Sequence, residues 1–246
     1  MGHTLVIAEC GSCHDNDIDK AYALIEAAKE CGADVAKFQY WSDSQKLYDQ
    51  RKLTDPKYLE FYKHYQMPNE WLPLLKKRCE ATGIEFMSTV YLPEDCCTLM
   101  AYQKRVKIAN YEYRYRDLVD MACGHFDDVV ISIPFDRMAG MRVVRERVSY
   151  LWCIPLYPTR TKDLSLKLYD KEIYCGLSDH TMSFITGALA VARGASIVEK
   201  HVRSTDTDPH NPDFVHSLAM DDKQFFQSSC FAEYVSNVRE AEVAIG

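Results

Sequence analysis

Residues 172–202 read EIYCGLSDHTMSFITGALAVARGASIVEKHV, and the way this stretch divides decides the fold. "EIYCGLS" (172–178) and "SIVEKHV" (196–202) are short runs rich in β-branched and aromatic residues. Between them "SFITGALAVARG" (183–194) carries apolar residues at helical spacing and stops at a glycine. Strand, helix and strand in one short unit is the signature of a parallel crossover. Both strands end in polar groups: Ser178, Asp179 and His180 after the first, Lys200 and His201 at the second.

The same rhythm extends through the chain. Strands are predicted at "TLVIAE" (4–9), "DVAKFQ" (34–39), "IEFMST" (84–89), "RVKIAN" (105–110), "DVVISI" (128–133) and "YLWCIP" (150–155). Helices are predicted within 17–32, 69–83, 93–103, 116–123, 135–148 and 221–245, with a weaker one at 161–169. The first of these opens on Asp17, a capping residue, and ends at Gly32. Eight strands alternating with eight helix candidates is the count of a (β/α)8 TIM barrel, here one α/β domain over 1–246, with an open doubly wound sheet as the alternative. Polar residues at most strand ends favour the barrel, because only there do all the C-terminal ends meet at one mouth. They are Glu9, Lys37 and Gln39, Ser88 and Thr89, Lys107 and Asn110, Ser132, Tyr157, Ser178 and His201.

Composition narrows the function. The 246 residues are 47% hydrophobic and 26% charged, with a net charge of −7, which argues against a broad nucleic-acid face. There is no apolar run of about 18 residues to span a membrane and no secretory signal, so the chain is expected in the cytoplasm with its cysteines as thiols. Cys10, Cys13 and His14 in "IAECGSCHDND" (7–17) have the spacing of a haem attachment site. Covalent haem needs export, and a redox dithiol should open a helix in a thioredoxin-like unit, so neither reading suits a first barrel strand.

His180 and His201 end consecutive strands and are candidates to share a divalent metal, with Glu9, Asp179 and Asp213 as carboxylates nearby. Mn²⁺, Mg²⁺, Fe²⁺ and Zn²⁺ are the candidate ions. Lys37 and Lys107 lie in otherwise apolar strands, where a buried ammonium needs an anion. That anion is a barrel carboxylate such as Glu9 or Glu112, or an anionic substrate held with help from Thr89, Ser132 and Ser178. A Schiff-base lysine is a third option.

These motifs, in their order, resemble the sialic acid (N-acetylneuraminate) synthase family, the phosphoenolpyruvate-dependent synthases of nonulosonic acids. "IAECGSCHDND", "AAKECGADVAKFQ", "GIEFMSTVY", "VKIANYE", "CIPLYPT", "GLSDHT", "IVEKHV" and "NPDFVHSL" each match a family segment, and Glu9 and His14 rather than the thiols carry the first match. The resemblance implies a metal-dependent, carbon–carbon bond-forming transferase of carbohydrate biosynthesis. Phosphoenolpyruvate and an aldehyde give a 2-keto-3-deoxy acid and phosphate. By position it places the metal on His180 and His201 and phosphoenolpyruvate on Lys37, Thr89, Lys107, Ser132 and Ser178. It puts Gln39, Glu112, Tyr157 and Asp213 toward the acceptor, and Glu9 beside the reacting carbons.

The departures lie on the acceptor side. Asn110 and Tyr111 replace a serine and a glycine, Pro155 an asparagine and Cys13 another asparagine, and the family's C-terminal antifreeze-like domain is expected to be missing. The expectation is therefore an acceptor other than N-acetylmannosamine, or an acceptor site completed by a second copy or a partner protein. Arg114 and Arg116 read first as the start of a solvated helix and second as candidates to contact an acceptor phosphate. A Schiff-base aldolase or lyase, and a non-catalytic barrel that binds a sugar acid or partners a full-length synthase, are the rival functions.

Overall fold

Each strand pairs in parallel with the next in sequence, and the eighth returns to the first. The strands are β1 (Leu5–Gly11), β2 (Val35–Tyr40), β3 (Glu85–Val90), β4 (Arg105–Ile108), β5 (Asp128–Pro134), β6 (Val148–Cys153), β7 (Gly176–Asp179) and β8 (Ile197–Arg203). They close a (β/α)8 TIM barrel as a single domain, in a computed structural model that describes residues 2–134, 147–220 and 230–245.

Register explains why the strands are apolar on both faces yet polar at one end. Side chains alternate sides along a strand. Ile7, Val35, Met87, Val130 and Leu151 form an apolar cluster inside the barrel. Two residues on along β1, β2, β3 and β5 stand Glu9, Lys37, Thr89 and Ser132, joined by Lys107 of β4 and Ser178 of β7, all buried. The alternate residues, among them Val6, Ala8, Phe38, Phe86, Val106 and Ile131, face outward into the main core beneath the helices. Parallel strands covered in this way read as near-continuous hydrophobic runs.

The helices are α1 (Ile18–Glu30), α2 (Ser44–Gln50), α3 (Pro56–Tyr65), α4 (Trp71–Thr82), α5 (Asp95–Leu99), α6 (Arg116–His125), α7 (Thr186–Val191) and α8 (Cys230–Ile245). Asp17 caps α1 by accepting from the Asp19 and Lys20 amides, and Gly32 leaves it with φ of +88°, both as expected from sequence. The helices α2 and α3 were not expected; they form an excursion between β2 and α4. The weak helix at 161–169 is instead two single 3₁₀ turns, and β7 starts at Gly176 rather than at residue 172. The helix expected over 135–148 falls almost wholly on 135–146, outside the described residues, as does the start of the last one at 221–229.

A short ninth strand, β9 (Leu218–Ala219), pairs with the end of β8. It returns residues 204–217 over the mouth, where the loop after β1 fastens them. Asn211 donates to the Ser12 carbonyl and to Asp15 Oδ1, both at 2.8 Å, and the Ser12 amide and hydroxyl donate to Asp213 Oδ2 at 2.9 and 2.8 Å.

Candidate active site

The inward ends of the strands line a cavity of about 710 Å³. Its floor is a buried charge network. Lys37 is ion-paired with Glu9 and donates to Thr89 Oγ1 at 2.8 Å. Lys107 donates to Ser132 Oγ at 2.7 Å. Glu199 joins the two lysines, 3.4 Å from Lys107 and 3.7 Å from Lys37, and accepts from Ser178 Oγ at 2.8 Å. Two ammoniums thus face two carboxylates below the surface of the mouth.

Burial raises the Glu9 carboxyl despite Lys37, and nearby Glu199 adds to the rise. Glu199 is treated differently: burial alone would raise it, but Lys107 and Lys37 outweigh burial and hold it down. Burial also opposes the charge on Lys37, yet Glu199 and Glu9 raise its pKa, whereas burial lowers that of Lys107.

The opposite wall holds imidazoles. His180 Nδ1 donates to the Ile154 carbonyl at 2.7 Å, which leaves Nε2 directed inward, 3.4 Å from Ser178 Oγ. Burial pushes His180 down to about 4, and burial with His216 nearby pushes His201 down as well, so both are neutral donors at neutral pH. His201 stands 5.8 Å from His180 between ring centres and 4.5 Å from His216. Ligand atoms of His201, Asp213 and His216 all lie within 4.8 Å of one another. Imidazoles around a carboxylate suit a divalent ion. His180 lies outside that group of three but faces it.

Toward solvent, Gln39 donates to Glu9 at 3.0 Å, and Asn110 donates to the Tyr157 hydroxyl at 2.6 Å. Glu112 is fully buried and accepts from Arg51 Nε at 2.7 Å. Arg51, at the end of α2, lies over the rings of Tyr62, Tyr91 and Tyr111.

Thirteen of the site residues expected from sequence line this one cavity: Glu9, Lys37, Gln39, Thr89, Lys107, Asn110, Glu112, Ser132, Tyr157, Ser178, His180, His201 and Asp213. Asp179 does not. Its carboxylate turns outward to Lys200 at 3.0 Å and to Thr186, a structural pair that corrects its reading as a ligand. Arg114 and Arg116 are exposed and outside the cavity, Arg114 stacked 4.2 Å from the Tyr111 ring centre. The thiols of Cys10 and Cys13 are buried and pushed up by burial, far from the thiolate form that redox chemistry or metal binding requires. His14 is buried beneath the mouth and packs edge-on against Trp71. Three residues that sequence reasoning passed over also line the cavity: Glu199, two positions before His201, His216, three after Asp213, and Arg51.

A model described as the NeuB family matches residues 24–246. The chain belongs to the NeuB family. Among NeuB relatives, the pseudaminic acid synthase of Campylobacter jejuni is 29% identical, over 98% of this chain and 74% of its own length. The N-acetylneuraminate-9-phosphate synthase of Homo sapiens is 27% identical, over 98% of this chain and 71% of its own. With such relatives this NeuB chain is a sialic acid synthase-like enzyme, a carbon–carbon bond-forming transferase. The solved N-acetylneuraminic acid synthetase of Leptospira borgpetersenii, in complex with citrate, shares the fold with a TM-score of 0.85 at 23% identity. It matches 100% of this chain and 86% of that one.

Proposed function

We propose that this NeuB-family chain condenses phosphoenolpyruvate with the aldehyde of an open-chain sugar to give a 2-keto-3-deoxy acid and phosphate. The observation that carries this reading is the floor of the cavity, where Lys37 and Lys107 converge with three hydroxyls opposite a cluster of imidazoles. Lys37 and Lys107 neutralise the carboxylate and phosphate of phosphoenolpyruvate, with Thr89, Ser132 and Ser178 donating to their oxygens. Gln39, Asn110, Glu112, Tyr157 and Asp213 face the acceptor.

C3 of the enol phosphate attacks the aldehyde carbon, and the aldehyde oxygen becomes a hydroxyl. Water adds at C2, and the resulting tetrahedral centre expels phosphate. Glu9, whose carboxyl is raised by burial, takes and returns protons beside these carbons. A divalent ion, Mn²⁺ as first choice, supplies Lewis-acid polarisation of the aldehyde when bound, with His180 and His201 as its imidazoles. The altered acceptor residues Asn110, Tyr111 and Pro155 support an acceptor other than N-acetylmannosamine. A reducing cytoplasm is the compartment proposed for the chain.

Phosphate release from phosphoenolpyruvate, measured with Mn²⁺ and a panel of phosphorylated and unphosphorylated aldoses, tests the proposal. One or more aldoses should trigger release that chelation abolishes. Silence across the panel, with phosphoenolpyruvate shown to bind, would refute it.

A further inference from the structure

We propose that His216 and Asp213 join His180 and His201 as direct metal ligands, so that the ion is held by protein groups alone and needs no substrate to complete its set. This deepens the metal dependence proposed above and rests on that reading of the site. It moves Asp213 from the acceptor to the metal and gives a role to His216.

Three observations carry it. His216 is buried, with 4% of its surface exposed, and its Nδ1 makes no hydrogen bond among the described residues. Its Nε2 lies 3.3 Å from Asp213 Oδ1. Ligand atoms at ~2.1 Å from one tetrahedral ion stand ~3.4 Å apart, so this spacing is that of two atoms sharing a metal. His201 Nδ1 is also buried without a hydrogen bond. A buried polar atom left unpaired costs free energy, and one ion beside Asp213 would take up one nitrogen from each of the two rings.

Local structure explains the convergence. Residues 214–216 form a 3₁₀ turn, in which positions three apart eclipse, so Asp213 and His216 point the same way. Ser12 holds the other oxygen of Asp213, Oδ2, and leaves Oδ1 toward the imidazoles. Glycine is required at position 11 because its φ is +51° and a Cβ there would stand 2.3 Å from Oδ2. Imidazoles with one carboxylate select Zn²⁺, Fe²⁺ or Mn²⁺ over Mg²⁺, which prefers oxygen ligands and retains its waters.

Calorimetric titration of the metal-stripped full chain with Zn²⁺ and with Mn²⁺, without phosphoenolpyruvate, tests the set. One ion per chain should bind, and His216→Ala should weaken binding at least tenfold, while Val215→Ala, at an exposed neighbour, should leave it unchanged. Affinity of His216→Ala equal to that of the unaltered chain would overturn the proposal. A second variant covers loss of folding: His216→Cys loaded with Co²⁺ should gain a sulfur-to-metal charge-transfer band, and Co²⁺ binding without that band would also overturn it. Neither readout depends on turnover, so failure of the condensation assay and failure of this ligand set are separable.

Discussion

Replacing Glu199 with glutamine keeps the shape of the side chain and removes the anion that two buried lysines share. Its carboxylate oxygens lie 3.4 Å from Lys107 and 3.7 Å from Lys37. At an effective dielectric of ~20 each pair is worth ~4–5 kcal/mol of attraction before the cost of burying the charges. Glu9 remains on Lys37, so the variant is left with one uncompensated ammonium, and breaking a buried pair in this way costs about 3–5 kcal/mol. For a chain of this length that corresponds to a fall in Tm of roughly 6–20 °C, read by circular dichroism near pH 7.

The dependence on pH has a definite sign. Burial opposes ionisation of Glu199, but Lys107 and Lys37 depress its pKa from the ordinary 4.5 to about 2. Its contribution is therefore complete above the ordinary value and is lost as pH falls toward the folded one. The difference in Tm between the unaltered chain and Glu199→Gln should narrow on acidification through that window. A Tm within ~2 °C of the unaltered chain at pH 7 would refute the reading of Glu199 as the shared counter-ion.

Other perturbations have equally definite outcomes. Gly11→Ala places a methyl group against Asp213 and should weaken metal binding severalfold with a fall in stability of about 1–3 kcal/mol, measured by calorimetry and thermal melting. Arg51→Ala strips the buried Glu112 of its cation and should destabilise the chain by about 3–5 kcal/mol in denaturant unfolding; an unchanged midpoint would contradict the pairing. Burial raises Asp95 from 3.8 to about 6, so its ionisation opposes folding: stability is highest below the ordinary value and declines as pH rises through the folded one. Asp95→Asn should remove that decline, worth up to about 3 kcal/mol, in melts between pH 4 and 7.

The barrel was legible because its strands are covered on both faces, and the polar strand ends marked the mouth. Glu199 was missed although it obeys the rule that found the others. It points inward two residues before His201, but lies between motif residues that drew the attention. The α2–α3 excursion was hidden by a strict strand–helix count, even though Asp55 caps and Pro56 opens α3 in the expected manner, and with it went Arg51. His216 could not be foreseen from strand periodicity, because a 3₁₀ turn brings it to Asp213. Asp179 misled because it follows Ser178 at a strand end; alternation turns it outward to Lys200.

Carbon-13 NMR of phosphoenolpyruvate labelled at C3, incubated with the metal-loaded chain and an aldose panel, tests the central claim most directly. The expected result is transfer of the label from the enol methylene to a ring methylene coupled to the former aldehyde carbon, in step with phosphate release. Phosphate release with the label recovered as pyruvate, or an unchanged enol signal in every mixture, would contradict the account.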